Sequence, residues 1–219
     1  NSSSLLPRPK RKLFIMKKLR ILSLGAGVQS STLALMIEKG EIENVSAAIF
    51  ADVKGEPQEV YDWLNYLKKQ ITKFPIYIVT YRNLKQDILD AAKGEFKAFT
   101  APFYTKNLET GKKGMLRRQC TADYKIKPVV KKIRELLGLK KGEKRKDGTE
   151  VELLMGISRD EVQRMKINPL KYIKNIYPLV DKDFRRSHCL DQFVMLQTNR
   201  INLILYQSYS THPLTFICK

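Results

Sequence analysis

Residues 23–31 read Ser-Leu-Gly-Ala-Gly-Val-Gln-Ser-Ser, a run whose types suit the binding of phosphate. Its glycines let the backbone turn tightly and bring amide N–H groups close to an anion, and its hydroxyls add donors. The helix expected to follow contributes positive partial charge at its N-terminus. Ser23, Gly25, Ala26, Gly27, Val28, Gln29, Ser30 and Ser31 are therefore candidate binding residues. The lysine of a Walker loop is missing, which excludes a P-loop NTPase of that type. As a bland alternative, the run is a tight strand-to-helix turn.

Three more clusters follow apolar runs. Asp52 leads Lys54 and Glu56; Arg117-Arg118-Gln119-Cys120-Thr121 precedes Lys125; and Gly156-Ile157-Ser158-Arg159-Asp160-Glu161 leads to Arg164. Arg118, Lys125, Arg159 and Arg164 suit charge-assisted bonds to phosphate or sulfate, arginine offering a two-pronged grip. Glu161 stands three residues before Arg164, where it either orients that arginine by an ion pair or caps the local structure. Taken alone, Asp52 reads equally as a helix-flanking carboxylate and Cys120 as a small buried hydrophobe.

The elements needed to hold these clusters are legible from periodicity. Leu19–Leu24 is an apolar strand, and Ser30–Lys39 an amphipathic helix. Val45–Asp52 is a buried strand; Glu56–Gln70 is a helix with Val60, Trp63, Leu64 and Leu67 at helical spacing and Pro57 in its first turn. Pro75–Tyr81 is a third strand, with a helix over Leu84–Ala92. Residues 93–119 interrupt the alternation as a long excursion. A helix over Ala122–Leu137, a lysine-rich turn ending at Asp147-Gly148, strands over Val151–Ile157 and Lys171–Val180, and a helix over Phe184–Leu196 complete the pattern. Alternating strands and helices predict an α/β fold, doubly wound around a mostly parallel, Rossmann-like sheet. Ligands of such sheets bind beyond the C-terminal ends of the strands, where all four clusters fall.

Composition sets the surroundings. The chain has 219 residues, 43% hydrophobic and 29% charged, with a formal net charge of +19, which suits one globular domain and an anionic ligand or partner. No apolar run approaches the roughly 20 residues that span a bilayer, so no membrane partner is expected and a cytoplasmic location is the default. Residues 1–15 read as a disordered basic leader ahead of Met16, residues 16–196 as the nucleotide-binding domain, and residues 197–219 show no period that assigns them. The basic stretch Lys131–Lys146 lacks interleaved aromatics and reads as a solvated loop, with nucleic acid as the alternative partner. The oligomeric state is not encoded legibly.

Together the clusters resemble a known family. Ser23–Ser31 is similar to the PP-loop, Asp52–Tyr61 to the DTGxExPxxVY segment, Arg118–Pro128 to RxCTxxxKxxP, and Gly156–Arg164 to GIRxDESxxR, in the order found in the phosphoadenosine phosphosulfate (PAPS) reductase family of the adenine nucleotide α-hydrolase-like (HUP) superfamily. The resemblance implies an adenine nucleotide as ligand, either ATP cleaved between its α and β phosphates or a PAPS-like sulfonucleotide, with Mg²⁺ helping where ATP is used. It implies catalytic roles for Cys120, Lys125 and Arg164, and nucleotide contacts from the loop, Asp52, Arg118, Gly156, Arg159 and Glu161. The ECGxH element of the sulfite-forming reductases and the late CxxCPF pair of other relatives have no counterpart here, so an iron–sulfur cluster is not expected. The competing classes are a non-catalytic, basic nucleic-acid-binding module and an NAD-type Rossmann protein, the latter since Gly25-Ala26-Gly27 approximates GxGxxG and Asp52 ends the second strand.

Overall fold

The structure, a computed structural model, describes residues 18–93, 104–106, 109–115, 121–145 and 148–195. The leader, Arg118, Cys120 and residues 197–219 lie outside the described residues.

Five strands form one parallel sheet: β1 (Lys18–Leu24), β2 (Ala47–Ala51), β3 (Ile76–Val79), β6 (Glu150–Met155) and β7 (Ile173–Ile176), in the spatial order β3-β2-β1-β6-β7. A separate antiparallel pair, β4 (Tyr104–Lys106) and β5 (Lys113–Met115), lies within the interval expected as an excursion. The central strands are apolar on both faces because both are covered. Leu22, Leu24, Ala48, Phe50 and Leu154 point into one core, packed by α1 (Val28–Lys39), α2 (Gln58–Gln70), α5 (Pro178–Asp181) and α6 (Arg186–Met195). Leu19, Ile21, Ala47, Ile49, Val151 and Leu153 point into the other, under α4 (Lys127–Leu136), which contributes Val129 and Ile133. A smaller cluster of Val53, Leu84 and Tyr124 seats α3 (Leu84–Ala92). The chain is thus α/β, with helices on both faces of a parallel sheet.

Local chemistry accounts for where elements begin and end. Gly40 takes the left-handed conformation (φ 85) that ends α1, its N–H reaching Ile37 O while Glu41 N reaches Met36 O. Two expectations need correction. The strand expected over 171–180 stops at Ile176, because Pro178 fixes a helical φ and opens α5. The helix expected over 122–137 begins as a π-helical turn, Thr121–Ile126, before α4. Pro128 is the cause: it has no N–H for the carbonyl four residues back, and its ring crowds that turn. A 3₁₀ turn, Arg159–Arg164, also follows β6 where periodicity showed nothing.

Candidate functional site

Since every strand of the main sheet is parallel, the loops after β1, β2, β3 and β6 emerge along one edge. Between β1 and β6 the strand order reverses, and the connection from β1 leads straight into α1. Gly27 is the N-cap of α1, and no side chain caps it. Ser31 N, donating to Gly27 O at 3.0 Å, makes the first bond of the helix, so helix geometry leaves the amides of Val28, Gln29 and Ser30 without an intrahelical acceptor. Amides without an intrahelical acceptor are what the start of α1 has to offer an anion. The backbone feature that shapes the loop is Ala26, fully buried with φ 53. Gly27 is extended (φ −85, ψ 172), a conformation open to any residue, so the expectation of special dihedrals at Gly27 does not hold.

The hydroxyls brace the loop. Ser30 Oγ accepts from Gly25 N at 3.1 Å and donates to Gly27 O at 3.2 Å. Ser31 Oγ, fully buried, accepts from Trp63 Nε1 at 2.8 Å and ties α1 to α2. Ser23 sits within β1, opposite Ile49 and Met155. Gly156 has a packing reason that its motif did not reveal. A Cβ there would lie 2.5 Å from Ser30 N and 2.7 Å from Ser30 Cα, so only glycine lets the end of β6 lie against the first turn of α1.

That contact brings the fourth cluster, Gly156–Arg164, to the first turn of α1. Gln29 Nε2 donates to Glu161 Oε2 at 3.0 Å, Arg186 Nη1 donates to Gln29 Oε1 at 3.3 Å, and Arg164 Nη1 pairs with Glu161 Oε1 at 2.8 Å. Arg159 Nε faces Asp183 at 3.4 Å, and Asp160 Oδ1 accepts from Arg186 N at the start of α6 at 3.1 Å. A hydrogen bond from Ser158, and then the Arg186 N–H, hold the Asp160 carboxyl below the usual range.

The neighbouring strand ends are built differently. Asp52 is buried; its Oδ1 accepts from Lys54 N at 2.7 Å and from Tyr61 OH at 2.8 Å, and its Oδ2 faces Lys54 Nζ at 3.0 Å. Burial raises its pKa, but these donors together outweigh that and hold it low; burial and then Asp52 push Tyr61 up to about 12. Lys125, on the π-helical turn, reaches Glu56 of the β2–α2 loop at 3.2 Å, so the second and third clusters are joined by an ion pair. Beyond them Asp87 of α3, also buried, receives two nitrogens of Arg82 at 2.6–3.1 Å and a short bond from Tyr124 OH. Arg82 is the main reason its carboxyl lies well below the ordinary value.

Sequence reasoning missed this last group. Asp87 and Tyr124 are 37 residues apart, and an Asp in the first turn of a helix is commonplace, so nothing local marked them. The adjacent pair His188 and Cys189 divides: Cys189 is buried in the core, which pushes its thiol up to about 11, while exposed His188 Nδ1 accepts from Arg185 N at 3.3 Å. Among the described residues no three His, Cys, Asp or Glu side chains gather as a metal site. No protein-family model matches the chain, and no curated protein matches it at significant similarity.

Proposed function

We propose that the chain is a PP-loop protein of Rossmann-like, HUP-type architecture that binds an adenine nucleotide at the β1/β6 edge. It acts either on ATP, between the α and β phosphates, or on a PAPS-like sulfonucleotide. The observation that carries this reading is the uncapped, glycine-led start of α1, pressed against Gly156 so that the cradle and the Arg159–Arg164 turn adjoin. Amides at a helix N-terminus favour an anion, and Arg164 is linked to Gln29 of α1 through Glu161, with Arg159 on the same turn and Lys125 at the neighbouring strand end as further cations. Each of the three already faces a carboxylate, so binding phosphate exchanges one anionic partner for another. Arg118 and Cys120 belong to the same proposal by their motif alone. Mg²⁺, where ATP is the ligand, would arrive on the phosphates, as suits an ion that keeps several waters and needs few protein ligands.

The competing NAD-type reading needs a strand-end carboxylate available to a ribose. Asp52 spends both oxygens on Lys54 of its own loop and on Tyr61 of α2, which favours the PP-loop reading. The test is thermal shift and calorimetry with ATP, PAPS and NAD in turn. A ligand that binds only the native state, present at 100 times its Kd, stabilises it by about 2.7 kcal/mol. ATP or PAPS should raise the melting temperature and NAD should not; a shift with NAD alone overturns the proposal.

A further inference from the structure

The fold places aromatic rings against the basic surface that the sequence left without them. Arg145, in the lysine-rich turn before β6, lies 5.5 Å over the ring of Tyr172, which immediately precedes β7. Tyr172 in turn lines a groove of about 740 Å³ that runs from the N-terminal ends of β1 and β6 across β7, together with Lys18, Lys166, Lys171, Lys174 and Tyr177. Its rim carries exposed apolar surface at Met165 and Ile167, the latter 97% exposed. The acidic residues of the groove are Glu150 and Glu152, and Glu152 is neutralised by Lys18 Nζ and Arg20 Nε, each at 2.7 Å. Lys166 and Lys171 are exposed and make no ion pair among the described residues, while exposed Lys174 stands in register beside Glu152 and adds to the charge that holds its carboxyl low.

The geometry points to a single-stranded nucleic acid as the occupant of this groove. Spaced cations follow a phosphate backbone, and the partly exposed Tyr172, packed between the core and Arg145, with Met165 and Ile167 beside the groove, offers apolar surface to unpaired bases. A peptide adding a strand to β7 is disfavoured, because the segment before it already folds against that edge: Ile173 N donates to Leu170 O, and Asn175 Nδ2 and Tyr177 OH both donate to Lys166 O. A second copy of the chain would bring lysine against lysine. The groove is lined by the first residues of β1 and β6 and by none of residues 23–31 or 156–164, so it is separate from the cradle and does not depend on the nucleotide reading.

Fluorescence anisotropy with short labelled single strands of DNA and RNA, and with the matching duplex, across a salt series tests this. Lys166→Glu/Lys171→Glu/Lys174→Glu is compared with a control of equal charge change, Lys68→Glu/Lys69→Glu/Lys85→Glu, with melting curves to confirm folding. Single strands should bind better than duplex, and the groove variant should lose about tenfold or more in affinity while its log K against log salt slope falls by about 2, at 0.7 per phosphate contact. Tyr172→Leu should weaken binding about fivefold without changing the slope. If the triple variant does not fold, the single reversals Lys171→Glu and Lys174→Glu, each lowering the slope by about 0.7, carry the test. Absence of single-strand binding by the parent chain, equal binding of duplex, or equal loss in the control would overturn the inference. Binding of an acidic peptide in place of nucleic acid would do so as well.

Discussion

The strand-end loops and the lysine-rich turn carry positive charge in opposite ways. At the C-terminal end of the parallel sheet the cations are matched: Lys54 with Asp52, Arg82 with Asp87, Lys125 with Glu56, Arg164 with Glu161. At the N-terminal end Lys18 and Arg20 are matched with Glu152, but in the turn that leads into β6 Lys140, Lys141 and Lys144 are exposed. Matched pairs hold side chains in place before any ligand arrives, which favours a defined small anion. Exposed, screened lysines offer attraction without geometry. The six residues of β6 separate the ends by about 20 Å, twice the Debye length of about 10 Å at ordinary salt. The basic turn therefore contributes little at the cradle, however much it adds to the net charge.

The sharpest way to break this contrast is at Gly156. Gly156→Ala drives a methyl into the backbone of Ser30, so it should cost about 3 kcal/mol of stability and abolish nucleotide binding together with it. Denaturant unfolding beside a nucleotide titration measures both, and a variant of unchanged stability would mean that the cradle and β6 are not in contact. Next is Asp87→Asn, which strips charge from the bonds made by Arg82 and Tyr124 and should cost about 2 kcal/mol at neutral pH. The native carboxyl lies below its unfolded value, so its contribution is complete above the unfolded pKa and disappears as pH falls through the native one. The gap between parent and variant should therefore close below roughly pH 4. A gap that persists in acid would show that the loss is steric. The smallest effect is Trp63→Phe, which leaves the buried Ser31 hydroxyl without its indole donor and should lower stability by about 1 kcal/mol while nucleotide affinity is retained.

Much of this arrangement was readable from residue types. The central strands showed as apolar runs because both faces are buried, and the loop after β1 showed because its glycines precede a helical period. The failures share a cause, since each depended on what the fold brings together. Gly156 looked like a ligand-facing glycine, but Ser30 from a distant segment is what excludes a side chain. Ser31 Oγ accepts from Trp63 of α2, a partner that its motif did not reveal. The bond from Tyr124 to Asp87 crosses from the π-helical turn to α3, and the basic turn acquired an aromatic partner only when Tyr172 was folded beneath Arg145. Gly27 was misjudged more locally: the left-handed residue of the loop is Ala26, a conformation that alanine adopts only at a cost of about 1–2 kcal/mol.

That correction makes Gly27 the most direct place to test the account. At φ −85 and ψ 172 a β-branched residue is unstrained, so Gly27→Val should fold and melt like the parent while its side chain occupies the approach to the amides of α1. Calorimetric titration of this variant is compared with Lys140→Glu/Lys141→Glu/Lys144→Glu, with circular dichroism confirming the fold of each. The account predicts that nucleotide binding is lost in Gly27→Val and stays within about twofold of the parent in the lysine variant, whose charges lie beyond the screening distance. Full affinity in a folded Gly27→Val, or collapse of binding on lysine reversal, would contradict it and move the anion site to the other end of the sheet.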